Sequence, residues 1–465
     1  MREVMGRLLA MAGFGAVGDI MRHRSFRIYL IGHIPNVVGV WVVRIAIGWL
    51  AWELTGSAFW VGALVAADAL PVLLFGPIGG VMADRLDRKQ ISLVTQAILC
   101  VLSIGLTALT YAGLIDIWLL LVFALARGVT FSFWQPVRLA LMPNLVPRSE
   151  LPTAISLNSS TFNAAQFIGP AVAGGLLKLG GAELAFAFNI FAAAMMVVAL
   201  AQIEAPPQPE RKGPRGSFLD DARAGVRYGA AHPGIGPMLL LLLIVGLMIR
   251  PLTELMPALA GGVFLKDVTG YSMMASSVGI GAMFGAIWML QRGNAGNITD
   301  IALFAGFAGG VSALLLITVA WFPFALLCLA ILGFSMTAGG IATQQVVQFA
   351  VPDEMRGRVL GLFGMIFRAG PALGALVIGR IGDAVGLTWP VLIGALIGLV
   401  AYGFAWTRRT RLREALEARR SSDAAANAAE TSQVGDKPAQ GLGCHVLSER
   451  KTVKSLHHGQ SKTQS

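Results

Sequence analysis

At 465 residues, with 55% hydrophobic and only 13% charged residues and 56 glycines, the chain lies outside the composition of soluble globular proteins. Its net charge of +11 is distributed between apolar runs and not clustered with aromatics, which argues against nucleic acid as a partner and leaves the charge to be read as membrane topology. Cys100 and Cys328 fall in apolar runs and Cys444 near the C-terminus, with no Cys-x-x-Cys or other ligand spacing, so neither a disulfide framework nor a metal site is expected.

Residues 1–27 open the chain as a cytoplasmic N-terminal segment. Leu8–Val17 is apolar behind Arg2 and Arg7, but no small-x-small cleavage pattern follows it. Stretches of about the 20 residues a membrane helix needs then run at Ile28–Leu50, Ala58–Val81, Ile91–Tyr111, Trp118–Gln135, Ala154–Leu177 and Leu184–Ile203. A Pro- and charge-rich cytoplasmic linker occupies 204–234. A second set follows at Ile235–Ala260, Ser272–Leu290, Ile298–Ala320, Pro323–Val347, Val359–Ile378 and Thr388–Trp406. The spacing predicts an all-α integral membrane protein of twelve transmembrane helices in two six-helix halves, 28–203 and 235–408. Residues 409–465 carry few large apolar side chains and are expected to be a disordered cytoplasmic tail, with Arg411–Arg420 extending the last helix along the membrane surface.

Arginine and lysine collect on one side of these spans: Arg22, Arg24 and Arg27, then Arg85, Arg88 and Lys89, then Arg138 and Arg148, the linker, Arg292, Arg356 and Arg358, and the tail from Arg408. The opposite loops hold Lys178 and Lys266, with Arg380 near a helix end. That asymmetry places both termini in the cytoplasm. The halves also repeat each other: Val146-Pro147 followed by Gly169-Pro170 has a counterpart in Val351-Pro352 followed by Gly370-Pro371. Such two-half construction serves alternating access around a site near the midplane.

Two motifs narrow the reading. Gly76–Lys89 reads GPIGGVMADRLDRK, a glycine-studded helix end, with Gly76 and Gly80 four apart, followed by a knot of charge. It resembles the loop signature between the second and third helices of the major facilitator superfamily, Gly-x-x-x-Asp-Arg/Lys-x-x-Arg-Arg/Lys. Gly80, Asp84, Arg85, Arg88 and Lys89 fill that pattern, and Asp87 stands where the family often has glycine. In the second half Gln291-Arg292-Gly293-Asn294 lacks the acidic residue. Gly169-Pro170-Ala171-Val172-Ala173-Gly174 is similar to the Gly-Pro-x-x-Gly-Gly motif of antiporters of that superfamily, with Ala173 replacing one glycine. With Ile47–Gly62, Leu145–Asn163 and Val351–Phe367, these stretches resemble the bacterial enterobactin-exporter and drug-efflux branch. Gln166 stands where many relatives carry arginine, and Arg127 lacks the Arg-x-x-Gln-Gly context of other antiporters. The resemblance implies the major facilitator fold. It also implies a lock in which Asp84 faces the positively polarised N-terminus of the eleventh helix near Arg358.

No phosphate loop, His-Glu-x-x-His or dinucleotide fingerprint is present, so neither an ATP-driven pump nor an enzyme is expected, and no cofactor. Secondary transport remains. Charges within spans are functional candidates by default, and they are Arg44, Asp68, Arg127, Arg250, Glu254 and Arg368 at depth, with Glu53 near an outer end. Arg44 and Asp68 lie at similar depth on adjacent helices and are expected to pair; Arg250 and Glu254, four apart on one helix, share a face. These pairs serve either structure or proton coupling, with Asp68 and Glu254 as the coupling carboxylates. The four arginines outnumber the two acids, which favours an anionic substrate. Met248, Met256, Met273, Met274 and Met283 are read as core filler. The expectation is a proton-coupled exporter of a small molecule, siderophore-like or a drug, working as a monomer in the bacterial cytoplasmic (inner) membrane. A proton-coupled importer is the alternative, followed by a membrane scaffold or enzyme.

Overall fold

The computed structural model describes residues 18–204, 218–292, 297–319 and 321–417. Side chains at 81, 83–85, 139, 218–222 and 353 lie outside that description, those of Asp84 and Arg85 included. So do residues 1–17, the linker's 205–217, Gly293-Asn294 and the tail from 418. One compact unit runs through Leu416.

In the first half, α1 (Arg24–Thr55) stops where Gly56 turns back at φ 58°, donating its N–H to the Trp52 carbonyl. Ser57 then caps α2 (Ala58–Arg85), accepting from the Trp60 N–H, so two residues suffice to reverse the chain. Asp87 opens α3 (Arg88–Tyr111) by accepting from the N–H groups of Lys89 and Gln90. The residue that departs from the family's usual glycine is thus a helix cap. Asp116 caps α4 (Ile117–Leu141) in the same way through the Leu119 N–H. This helix runs past its expected end at Gln135, so Arg138, read from sequence as a surface charge, is buried at 7% exposure.

The helix α5 (Leu151–Gln202) has 52 residues, roughly 78 Å at about 1.5 Å each, far more than one bilayer core of about 30 Å. It crosses twice because the backbone breaks at Gly180 and Gly181, the latter at φ 68°, where glycine has no steric penalty. Among the described residues, the 11 helices long and apolar enough to cross a membrane therefore accommodate the twelve expected spans.

The linker contains α6 (Phe218–Ala231), and α7 (Ile235–Met248) follows it. The expectation of one unbroken helix over Ile235–Ala260 fails here. Pro251 and Pro257 supply no N–H, the Arg250 N–H reaches back to the Val245 carbonyl, and the chain continues as the short turns Pro251–Glu254, Met256–Ala258 and Leu259–Val263. Arg250, itself in helical conformation, leads directly into the turn that ends at Glu254, so the two charges stay four residues apart on one turn and attract each other. The remaining helices are α8 (Val268–Arg292), α9 (Ile298–Thr318), α10 (Phe322–Ala350), α11 (Asp353–Val385) and α12 (Thr388–Thr407). Beyond α12, residues 409–417 are helical, but Leu412 and Leu416 are buried in protein and Leu416 packs on Gly234, so this stretch docks on the protein and not on the membrane surface.

Lipid tails give helices no hydrophobic reason to associate, so close packing between small residues holds such a bundle together. The halves meet chiefly through α2 on α11 and α5 on α8. A methyl on Gly62 would lie 2.5 Å from the Ala375 carbonyl oxygen, and one on Gly379 2.5 Å from that of Ala58. Asp383 fastens the same end. Its carboxylate accepts from Ser57 Oγ at 2.5 Å, from the Ala58 N–H at 2.7 Å and from the Phe59 N–H at 3.3 Å, so a side chain of α11 caps α2 of the other half. At the opposite, arginine-rich end, a methyl on Gly76, Gly80, Gly357, Gly361 or Gly364 would meet nothing within 4 Å.

Candidate functional site

Between the fastened end and the arginine-rich end lie the charges that sequence singled out, and the structure pairs them differently from expectation. Arg44 does not bond Asp68. Its Nη2 donates to both oxygens of Glu254, at 2.6 and 2.5 Å, joining α1 to the broken stretch after α7 across the two halves. The break in the helix is what makes this reach possible, because the turn at Pro251–Glu254 carries the carboxylate off the α7 axis. Glu254 is 13% exposed and Arg44 46%, so the pair is buried on one side only. Trp41 packs on the same guanidinium, 5.3 Å from its ring centroid.

Asp68 instead receives Arg127. Nε and Nη2 of Arg127 donate to the two carboxylate oxygens at 3.1 and 3.0 Å, the planar fork matching the planar acceptor. This pair lies wholly within the first half, between α2 and α4, and Arg127 lines a cleft with Asn36, Gln96, Ser103 and Asn189. Gln96 donates to Asn36 at 2.7 Å and Asn189 to Ser103 at 2.6 Å.

Arg368 bridges the halves without a carboxylate: its Nη1 donates to Oε1 of Gln135 on α4 at 2.6 Å. The side chain of Arg250 makes no hydrogen bond among the described residues, although Glu254 lies near enough to attract its charge. Its guanidinium lies 3.8 Å from the centroid of Phe367, and its Nε is buried without a hydrogen bond. The first half of the antiporter-like motif faces its own bundle and the second faces the other: a methyl on Gly169 would collide with Trp41 of α1, and one on Gly174 with Ser272 of α8. Pro170 sits inside α5 between them and removes one helix hydrogen bond. In the loop motif, Asp84 and Arg85 end α2, Arg88 donates to the Ala140 carbonyl at 2.7 Å, and Lys89 to that of Ala201 at 3.1 Å.

A search confined to charges within spans passed over a second polar cluster. His33 and Tyr29 of α1, Arg138 of α4 and Asn158 of α5 meet in the interior of the first half, Arg138 Nη1 donating to Asn158 Oδ1 at 3.2 Å and lying 3.4 Å from His33 Nε2. Asp383 and Gln135 were missed as well. Neutral polar residues inside apolar runs were the available signal for most of them; Asp383, next to a glycine at a helix end, gave none.

A family model described as "Transmembrane secretion effector" matches residues 19–438. Macrolide efflux protein A of Streptococcus pyogenes is 23% identical over 374 residues, 80% of this chain and 92% of that protein. Enterobactin exporter EntS of Escherichia coli is 26% identical over 365 residues, covering 77% and 86%. In fold, the chain is similar to a bacterial homologue of the human lysosomal transporter Spinster in an inward-facing, unoccupied conformation, with a TM-score of 0.64 at 15% identity, covering 85% of this chain and 97% of that one. The all-helical fold and its spans agree with that similarity. The chain is a multi-pass membrane transporter of the transmembrane secretion effector family, within the efflux branch of the major facilitator superfamily.

Proposed function

We propose that the protein is a proton-coupled exporter of a small molecule, working by alternating access as a monomer in the bacterial cytoplasmic membrane with both termini in the cytoplasm. The relatives' names are those of exporters, of a macrolide in one case and of enterobactin in the other, so a drug and a siderophore-like anion are the substrate classes to test. The arginine-rich loops orient the chain by the positive-inside rule, which makes the end fastened by Asp383 the outer one and the form described here inward-open.

The observation that carries the coupling is the Arg44–Glu254 pair, the one carboxylate–guanidinium contact that crosses between halves among the described residues. When the halves part at this level, each partner loses its counter-charge, at a cost below the ~3–5 kcal/mol of a fully buried pair because Arg44 is half exposed. A proton on Glu254 removes that obstacle. Proton entry from outside and release toward the cytoplasm then bias the two-state equilibrium in opposite directions at the two faces.

Inside-out vesicles with an imposed pH gradient test this, using a compound chosen from growth inhibition of an expressing strain. Glu254→Gln is expected to abolish uphill accumulation while keeping exchange of labelled for unlabelled compound. Uphill accumulation surviving in the Asp68→Asn, Glu254→Gln double variant rejects both carboxylates as the coupling groups.

A further inference from the structure

The four midplane arginines end in different states. Arg44 and Arg127 hold carboxylates and Arg368 holds an amide oxygen, whereas Arg250 hydrogen-bonds none: it stacks on a ring face and shares the field of Glu254, which is already bonded to Arg44. A ring face offsets a desolvated cation by about 2 kcal/mol, less than the several kcal/mol that desolvation costs. Arg250 thus retains unused donors.

Arg250 lines a small cleft of about 30 Å³ inside the second half, among α7, α9, α10, α11 and α12, room for a carboxylate-sized group. The hydroxyl residues Ser335, Thr343 and Tyr402 line the same cleft. Four polar groups, from α10, α12 and the turn after α7, therefore converge on one space, with Met336 and Phe367 as its apolar wall. Interiors seldom leave polar groups idle, and a buried guanidinium nitrogen left so, as Arg250 Nε is, calls for a missing partner. That partner accepts hydrogen bonds, carries negative charge and has an apolar portion. The matching cleft of the first half cannot serve, because Asp68 already neutralises Arg127 there.

We propose that the cleft around Arg250 is the subsite for an acidic group of the transported molecule, a carboxylate or similar oxyanion borne on an aromatic or other apolar body. Arg250 pairs with the oxyanion, the hydroxyls of Ser335, Thr343 and Tyr402 donate to its remaining lone pairs, and the body stays outside the small cleft, beyond Met336 and Phe367. The subsite deepens the transport reading above and rests on it.

The test uses the full-length protein in lipid nanodiscs and three probes of one shape: 1-naphthaleneacetate, its neutral amide, and 1-naphthylmethylamine. The acetate is expected to bind about tenfold or more tightly than the amide, the range of a hydrogen bond to a charged group. Arg250→Gln should erase that ratio, with an unchanged thermal unfolding midpoint showing that the variant is folded; Arg250→Lys should keep part of it, and Tyr402→Phe should reduce it severalfold. Equal affinity for acetate and amide in the wild type, a preference for the amine, or a ratio that survives Arg250→Gln overturns the subsite. Arg250-dependent binding without transport of the acetate in vesicles would leave the subsite standing and count against the exporter reading instead.

Discussion

Each half of the molecule holds one arginine in an internal polar cleft, Arg127 in the first and Arg250 in the second. They sit on different helices of their halves, the fourth and the seventh span, and are opposite in chemistry: Arg127 is forked onto Asp68, while Arg250 faces a phenyl ring and the hydroxyls of its cleft. A charge satisfied within its own half can stay satisfied as the halves rock, so it suits a structural part. A charge left open, or one satisfied only across the halves as Arg44 is, changes its surroundings during the cycle and suits a working part. Depth in the membrane does not separate these cases; partnership does.

The contrast breaks most visibly in stability. Asp68→Asn should leave Arg127 uncompensated and lower the thermal unfolding midpoint in detergent, with a cost near or below the lower end of about 3–5 kcal/mol because Asp68 is 34% exposed. Adding Arg127→Gln should recover most of that loss. Arg250→Met should cost little or even stabilise. A drop with Arg250→Met as large as that with Asp68→Asn would make both arginines structural.

Smaller effects sharpen the comparison at the two ends of α2 and α11. Asp383→Asn removes a full charge from the first turn of α2, worth up to about 2 kcal/mol, and should shift the population toward forms open at that end. Spin-label distances between cysteines at Glu53 and Val385, in a background without the native cysteines, would lengthen; unchanged distributions would reduce Asp383 to a passive cap. Asp84→Asn is expected to leave insertion intact and slow turnover, since the resemblance assigns Asp84 to the N-terminus of α11; full transport would sink that role. Asp87→Ala is the smallest, about 1 kcal/mol for a lost cap with turnover retained, measured as a modest fall in the unfolding midpoint.

Spans were legible because length and hydropathy alone define a membrane helix, and the loop motif and the family followed from short residue patterns. Which charge bonds which was not. Arg44 and Asp68 sit at similar depth on adjacent helices, yet the partner of Arg44 comes from the other half, brought there by a helix break that Pro251 and Pro257 announced and a hydropathy reading smoothed over. Arg138 was taken for a loop charge since basic residues near helix ends usually mark topology; its burial depends on His33 and Asn158, which are distant in the chain. Pairing across helices is a property of packing, and no single stretch of sequence contains it.

The reversal at Gly180–Gly181 bears on how the chain is made. Lys178 and Glu183 are the only charges beside it, and no polar loop separates the two limbs of α5. The insertion machinery is therefore expected to receive them together, as a hairpin released sideways into lipid and not as two spans admitted in turn. Gly181→Val, strained at φ 68°, should accordingly show itself in protease-protection assays during synthesis, before any transporter exists to be slowed.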